Sequence, residues 1–402
     1  MELSRADGNV CRDLTQQLLH QALHDCVELG VAATPDVSQV RFDKKRWKTL
    51  ESNAHVSVYA DRTPDSAWLP LMRRQEWEYP LAVTAVGRME CSLDDVLFAV
   101  MTPNAAILKL RAFLMDHRLE KNCQLVPIET PTHDEPFRFL AATRFVNTHN
   151  WPFTMFKSPR EMILAIATGY TTTAGGKACA YELIQSVELP CKGSRNNTLM
   201  SRSRALQARL FWTQDDGSSA VYCKLVVDAK NCLSDVVKQG TLCQSVLRFW
   251  KFVPRSLETK KLWWCVKNKR RLIQELRTTA PSQCAEKVAT CAAKSLKSQS
   301  KRGAVTRCEF CEQELCGDPK CRRSCQLKMI LSSRTGILEQ MLTLCLRCAT
   351  FVRNQKAADI ARAQLVELDQ TSYCSGASFT KVSSARNEED SLLPSRGSTE
   401  LA

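Results

Sequence analysis

The residues best placed to do chemistry are cysteines. Of the 20 in the chain, seven fall between Cys308 and Cys348, in CEFCEQELCGDPKCRRSCQLKMILSSRTGILEQMLTLCLRCATFV, and the other thirteen are scattered singly. Cys308-x2-Cys311 opens the cluster and Cys345-x2-Cys348 closes it. Each such knuckle presents two thiolates to one ion at ~2.3 Å, and two knuckles complete the tetrahedron that zinc prefers. Cys316, Cys321 and Cys325 lie between them and do not pair as cleanly. All six histidines precede residue 150, so a metal site here must be all-cysteine, with zinc the expected cofactor. The rival chemistry is thiol–disulfide exchange, but a redox C-x-x-C belongs in a βαβ setting, and none surrounds these residues. The scattered thiols read as small buried hydrophobes.

Catalytic patterns are missing. There is no phosphate-binding glycine loop and no nucleophile elbow, and Gly175-Gly176 reads as a turn between strands. The chain is therefore expected not to be an enzyme. Its net charge of +14 favours an anionic partner such as a membrane surface. Residues 277–307 alone carry seven cations, Arg277, Lys287, Lys294, Lys297, Lys301, Arg302 and Arg307, against Glu286. In the cysteine cluster, Arg322, Arg323, Lys328 and Arg334 offer further contacts to such a surface. The opening MELSRADGNVCRDL lacks a basic region followed by an apolar core, and no run of ~18 apolar residues occurs. The expectation is a cytoplasmic protein, at most peripheral on endomembranes.

The elements that must position these groups follow from hydrophobic period. Leu14, Leu18, Leu19 and Leu23 recur at helical spacing in a lead-in over 1–46, whose stripe should pack on the main domain. From Trp47 to Val227 the pattern is mostly strand. Ser92-Leu-Asp-Asp95 and Thr102-Pro103 start two helices. Tyr181, Leu183 and Val187 alternate with Glu182 and Ser186, and Leu206, Leu210 and Trp212 alternate with Gln207, Arg209 and Thr213. Asp215-Asp216-Gly217 turns the chain into a last strand. Ser158-Pro159-Arg160-Glu161 looks like a capping box, while Met162, Leu164 and Ile166 fit period two, so local signals leave that segment open. A long helix follows from about Cys232 to Arg277. Leu233, Val236, Val237, Val246, Leu247, Trp250 and Val253 lie on one face, and Pro254 should break or kink it. Residues 278–304 are a basic linker, and 368–402 read as a disordered tail.

Strands, two helices, antiparallel strands and a long closing helix give an α+β class. In order and spacing, several stretches resemble the START family of lipid-binding domains: SLDDVLFAVMTPNAAILKLRAFLMD, NWPFTMFKSPREMILAIATGY, KACAYELIQSVELP and RLFWTQDDGSSAVYCKLVVDAKN. Trp151-Pro152, Arg160-Glu161 and Ser186-Val187-Glu188-Leu189-Pro190 carry the match. The resemblance implies a helix-grip fold, a curved antiparallel sheet around a long C-terminal helix, over 47–277. It makes the Met162 segment a strand and implies an apolar cavity for one lipid, gated by that helix. It names no lipid-contacting residue. Arg160 and Glu161 are read as a strand-edge ion pair, and Phe211, Trp212, Trp250 and Phe252 as core. Residues 47–265 are expected to fold without the rest.

The segment 305–360 resembles FYVE and related cross-braced, treble-clef zinc fingers. That resemblance implies two zinc ions, with pairs one and three on one ion and pairs two and four on the other. Cys308/Cys311 and Cys345/Cys348 match the outer pairs, and Cys316-x4-Cys321 the inner join. Gln313 stands where a partner of Cys316 is expected, and Cys321 and Cys325 are one residue too far apart, so the second site is degenerate. The basic, histidine-containing headgroup motif of the family is absent, and with it the expectation of phosphatidylinositol 3-phosphate binding. The function expected is non-catalytic lipid binding, transfer or sensing, with the finger for membrane or protein contact. The alternatives are a protein-interaction or ubiquitin-ligase-type module, and nucleic-acid binding prompted by Lys267–Arg271 beside Trp263 and Trp264. The last is weak, because stacking aromatics are not interleaved with the basic run.

Overall fold

The computed structural model describes residues 1–31, 40, 42–62, 68, 71–72, 77–119, 123–148, 160–173, 175–189, 202–228, 235–278, 306–315, 324–332 and 337–375. The chain opens with helix α1 (Arg5–Glu28), started by a capping box in which Ser4 and Asp7 exchange bonds. Strands β1 (Trp47–Ser52), β2 (Val56–Asp61) and β3 (Pro80–Met89) follow, then helices α2 (Leu93–Val100) and α3 (Ala105–Leu114). Ser92 and Asn104 cap these two helices. Next come β4 (Arg118–Leu119), β5 (Gln124–Glu129), β6 (Phe139–Thr148), β7 (Arg160–Thr172), β8 (Ala178–Ser186), β9 (Ala205–Thr213) and β10 (Ser219–Asp228). They form one ten-stranded sheet in the order β1-β2-β3-β10-β9-β8-β7-β6-β4, with β5 also on β6. All these pairings are antiparallel. The ambiguous segment is thus strand β7.

Two glycines are required by geometry. Gly217 takes φ 81° in the β9–β10 turn, a left-handed value that Asp216-Gly217 suits. A Cβ on Gly87 would stand 2.2 Å from the His55 carbonyl, so only glycine lets β2 meet β3 there.

A long helix α4 (Asp235–Lys267) crosses one face of the sheet, and α5 (Lys269–Thr278) continues from it. This is an α+β helix-grip architecture. Helix α4 runs through Pro254 and stops only at Asn268, so the expected break is misplaced. Phe249, Phe252, Val253 and Leu262 are buried on either side of the proline, and that packing outweighs the ~3 kcal/mol a mid-helix proline costs. The predicted apolar face also needs correction. Val236 and Val237 are exposed, and Leu242, Cys243 and Val246 do the packing, against Val83, Ala85 and Leu225.

Both faces of the sheet are covered. Leu206, Ala208, Leu210 and Trp212 point to one side, where α1 buries Cys11, Leu14, Leu18, Ala22 and Cys26 against them. Gln207, Arg209 and Phe211 point to the other side, toward α4. The lead-in helix is therefore an integral layer.

The last module comprises a short ladder of β11 (Thr306–Arg307) with β12 (Glu314–Leu315), a hairpin of β13 (Ser324–Ser332) with β14 (Ile337–Cys345), and helices α6 (Leu346–Asn354) and α7 (Ala357–Ser375). Residues 368–375 are helical, continuing a run of good helix formers from Ala357, where an unstructured tail was expected. The linker over 279–304 and the tail over 376–402 lie outside the described residues.

This module shares its core with the grip. Phe310, Leu327, Met329, Leu344, Val352 and Ile360 belong to the same buried cluster as Leu97, Phe98, Phe252, Leu262 and Trp264. Helix α7 lies on α2, β13 on α3 and α4, and α6 on α4. Lys261 donates to the Arg353 carbonyl at 3.2 Å, and Lys269 pairs with Glu312 at 2.8 Å. These contacts run against independent folding of 47–265. Such a fragment would bare apolar faces of α2 and α4, and would lose α1 from the other side.

Candidate metal centre and buried charge clusters

The first knuckle sits in the turn between β11 and β12. Cys308 N–H donates to the Gln313 carbonyl at 2.9 Å and Glu312 N–H to the Cys308 carbonyl at 2.8 Å. Glu312 takes φ 66° to close this loop. The second knuckle straddles the start of α6, where Cys345 is the N-cap and its sulfur accepts from Cys348 N–H at 3.4 Å. Cys345 N–H reaches the Cys308 sulfur at 3.3 Å. The two loops bring four sulfurs, those of Cys308, Cys311, Cys345 and Cys348, within 4.8 Å of one another.

This donor set fits a tetrahedral metal ion. Arms of ~2.3 Å place sulfurs about 3.8 Å apart, and Cys311 lies 3.8 Å from Cys345. Backbone N–H groups on sulfur and a helix N-terminus both favour thiolates. Hydrogen bonds from Cys311, Cys345 and Cys348 push the Cys308 thiol down, and the same contacts push the Cys345 and Cys348 thiols up, the mutual effect of four sulfurs sharing one space. A metal bound there would organise a module too small to hold itself by core burial alone.

The cross-braced pairing implied by the finger resemblance is not what forms. First and last pairs meet at one centre, because β13–β14 is a hairpin that returns the chain to the first knuckle. Cys325, at the start of that hairpin, is half-buried and stands outside the four-sulfur group. Cys316 and Cys321 lie outside the described residues, as do Arg322, Arg323 and Arg334. Lys328 is tied to Glu339 across the hairpin.

Inside the grip is a second constellation, built from the polar positions of the period-two alternation. Glu182 and Arg209 are register partners on β8 and β9. One Glu182 oxygen accepts from Arg209, the other from Arg111 on α3. Glu182 has no exposed surface and Arg209 is 2% exposed. Burial pushes the Glu182 carboxyl up, but the two guanidinium groups outweigh it and hold it below the usual carboxylate range. The Arg209 guanidinium lies 3.8 Å from the Phe249 ring centre, and that of Arg111 lies 5.4 Å from Phe252. The buried Nε–H of Arg209 has no partner. Two cations thus face one anion. Lys260, also buried, adds a third cationic group, donating to the carbonyls of Phe98, Ala99 and Met101 at 2.7, 3.0 and 2.8 Å. Burial, with Arg111 nearby, pushes its ammonium down to about 7.

On the opposite face Asp25 of α1 is buried. One oxygen accepts from Trp68 Nε1 (2.6 Å), Tyr222 Oη (3.0 Å) and Lys224 Nζ (3.3 Å), and the other from Gln21 (3.0 Å). Every acceptor there is engaged.

Arg160 and Glu161 do not pair with each other. Glu161 takes Arg144 at 2.7 Å and Arg202 at 3.1 Å, while Arg160 reaches Ser203. Burial raises the Glu161 carboxyl, and those hydrogen bonds bring it below its ordinary value. Trp151-Pro152 and Pro190 lie outside the described residues. Phe211, Trp212 and Phe252 are buried as expected, and Trp250 is half-buried, donating to the Arg88 carbonyl. Of the aromatics beside the basic run, Trp264 is buried under Arg271 and Trp263 is partly exposed under Lys267. No single helix among the described residues is long and apolar enough to cross a membrane.

No family model and no curated protein match this sequence. Among solved structures, human StAR-related lipid transfer protein 5 is similar at 14% identity and TM-score 0.38, over 59% of this chain and 96% of its own. Human STARD10 is similar at 14% identity and TM-score 0.35, over 53% and 75%. A STAR-related lipid transfer protein from Xanthomonas axonopodis gives 15% identity and TM-score 0.35, over 53% and 98%. At such scores the likeness carries no argument about function, which has to rest on the side chains.

Proposed function

We propose that the chain is a non-catalytic lipid-binding protein that takes one amphiphile between the sheet and helix α4. Its anionic or acceptor-rich head would meet Arg209 and Arg111. One observation carries this reading: a buried cluster with more cations than anions, holding an unpartnered Arg209 N–H among aromatic rings. Such a group costs about 1–3 kcal/mol until an acceptor reaches it. Apolar side chains of the same core, among them Ala141, Ala180, Phe211, Val221 and Phe249, lie with it, and Gln207 shares its side of the sheet. Binding requires the α4 side chains to yield, since Phe249 and Phe252 stand on the two arginines.

The four-cysteine centre holds zinc in this reading, through Cys308, Cys311, Cys345 and Cys348. Its role is to keep β13, α6 and α7 seated on α2 and α4, and the basic segments near it give salt-sensitive contact with anionic membranes. Native mass spectrometry of the full chain purified from cells tests both parts together. The expected spectrum has one zinc per chain and a co-purified lipid, with the lipid lost in Arg209→Met and the zinc lost in Cys308→Ser. Metal below one equivalent sinks the zinc assignment. A chain that takes up no sterol, phospholipid or sphingolipid analogue sinks the lipid assignment.

A further inference from the structure

A cavity of about 360 Å³ lies on the face of the sheet away from α4, beneath the C-terminal end of α1. Its walls are Leu23, Cys26 and Val27 of α1 with Cys179, Leu210 and Trp212 of the sheet. It is separated from the Arg111–Glu182–Arg209 cluster by the thickness of the sheet, because Leu210 and Trp212 point away from Arg209 along β9. A volume near the low end of natural ligand sites suits a small molecule rather than a whole two-chain lipid.

The lining sets the chemistry of an occupant. It is almost wholly apolar. Burial pushes the Cys26 thiol well above its ordinary value and the Cys179 thiol up to about 12, so neither supplies charge. Among the described residues no lysine or arginine lines it. His24 stands at the rim, 3.9 Å from Glu28, and Thr173 is the other polar contributor. Asp25, the buried residue between His24 and Cys26, is an anion and is engaged by Gln21, Trp68, Tyr222 and Lys224. A carboxylate or phosphate would find no counter-charge here. One residue of the wall carries an unsatisfied donor: Trp212 is 3% exposed, and its indole N–H is buried beside the cavity without a partner. A buried donor without an acceptor is uncommon, and in a cavity wall it specifies one acceptor and nothing more.

We propose that this cavity is a second binding site, for a medium-length aliphatic molecule carrying a single neutral hydrogen-bond acceptor, such as a fatty alcohol or ester. The chain packs against Leu23, Cys26, Cys179 and Leu210, and the oxygen accepts from Trp212 Nε1. The site is independent of the lipid site proposed above, and its occupation bears on how α1 seats against the sheet.

The test uses the full chain with 15N-labelled tryptophan indoles, followed by proton–nitrogen correlation spectra. Trp212→Phe assigns one signal and Trp250→Phe another, the latter reporting on the α4 side. Adding 1-decanol should move the Trp212 indole proton downfield to saturation, as a hydrogen bond forms. Decane, which has no acceptor, should perturb the signal without the downfield displacement. Val27 is 60% exposed at the mouth, so Val27→Phe should fold and should remove the decanol response. The proposal fails if decanol leaves the Trp212 signal unmoved, or if the response survives in Val27→Phe. It fails equally if the free protein already shows a hydrogen-bonded Trp212 proton, since the chain then fills the site itself. Movement of Trp250 alone on adding phospholipid would leave the α4-side site standing while this one falls.

Discussion

The two faces of the sheet each bury a charge cluster, and they are built differently. Toward α1, Asp25 accepts four hydrogen bonds, one of them from the ammonium of Lys224, and the charges balance. Toward α4, Glu182 is shared by two arginines, with an N–H left over. A closed network rigidifies the layers it joins, whereas an open one leaves a demand that only another molecule can meet. The Asp25 cluster is thus a structural lock between α1 and the sheet, and the Glu182 cluster has the character of a site.

Breaking the lock should give the largest effect. Asp25→Ala takes a carboxylate away from buried Lys224 and orphans Trp68 and Tyr222. The expected loss is about 3–5 kcal/mol, read as a fall in the denaturation midpoint at unchanged slope. A variant that lost less than 1 kcal/mol would show that the lock is a bystander of packing by Leu14 and Leu18.

Glu182→Gln tests the open face. The amide keeps one acceptor, and Arg111 is near the rim at 11% side-chain exposure, so the expected cost is smaller, about 2–3 kcal/mol. The two faces should then separate on adding an anionic amphiphile. It should restore Glu182→Gln by supplying the missing negative charge, and should do nothing for Asp25→Ala.

Acid titration gives a milder version of the same experiment. The folded Glu182 carboxyl is held below its unfolded value, and so is that of Glu161. Their contribution is complete above the unfolded carboxylate value of about 4.3. It is lost as pH falls below that value toward the folded one. The midpoint temperature should drop on acidification, and Glu182→Gln should flatten that limb. An unchanged acid limb in the variant would mean that Glu182 is not ionised in the native protein.

Little of this contrast is legible in the sequence, and the reason is physical. Period-two alternation assigns Glu182, Gln207 and Arg209 to a polar face, and a polar face reads as solvent-facing unless something is known to cover it. What covers it is α4, a contact made between residues far apart in the chain. Arg111, on a helix whose stripe reads as Ile107, Leu108, Leu110 and Leu114, gives no local sign of reaching β8. Asp25 and Lys224 are hidden likewise, one behind a leucine stripe and one inside an apolar strand. The cysteine centre is legible because each knuckle encodes its geometry within four residues. Only the pairing between knuckles is non-local, and there the cross-braced expectation gave way to a hairpin that returns the chain. Strand β7 came from family resemblance, where the capping signal at Ser158 pointed to a helix.

The smallest expected effect on stability decides most about function. Arg209→Met removes the unpartnered N–H and the excess charge, together with the guanidinium that lies on Phe249, while keeping most of the aliphatic stem. Glu182 keeps Arg111, so the carboxylate is not left bare. Lost ion-pair energy and relieved desolvation should nearly cancel, leaving a change within about 1 kcal/mol. If the open cluster is structural, lipid uptake should change as little as stability does. If it is a headgroup site, saturable uptake of an anionic lipid analogue should disappear from a protein whose melting is almost native. Arg209→Lys sharpens the outcome, since it restores the charge without the planar fork. Partial recovery of uptake with lysine would assign the role to charge, and none would assign it to the geometry of the guanidinium. Uptake that is indifferent to both substitutions would place the lipid elsewhere and leave Arg209 as a partner of Glu182 alone.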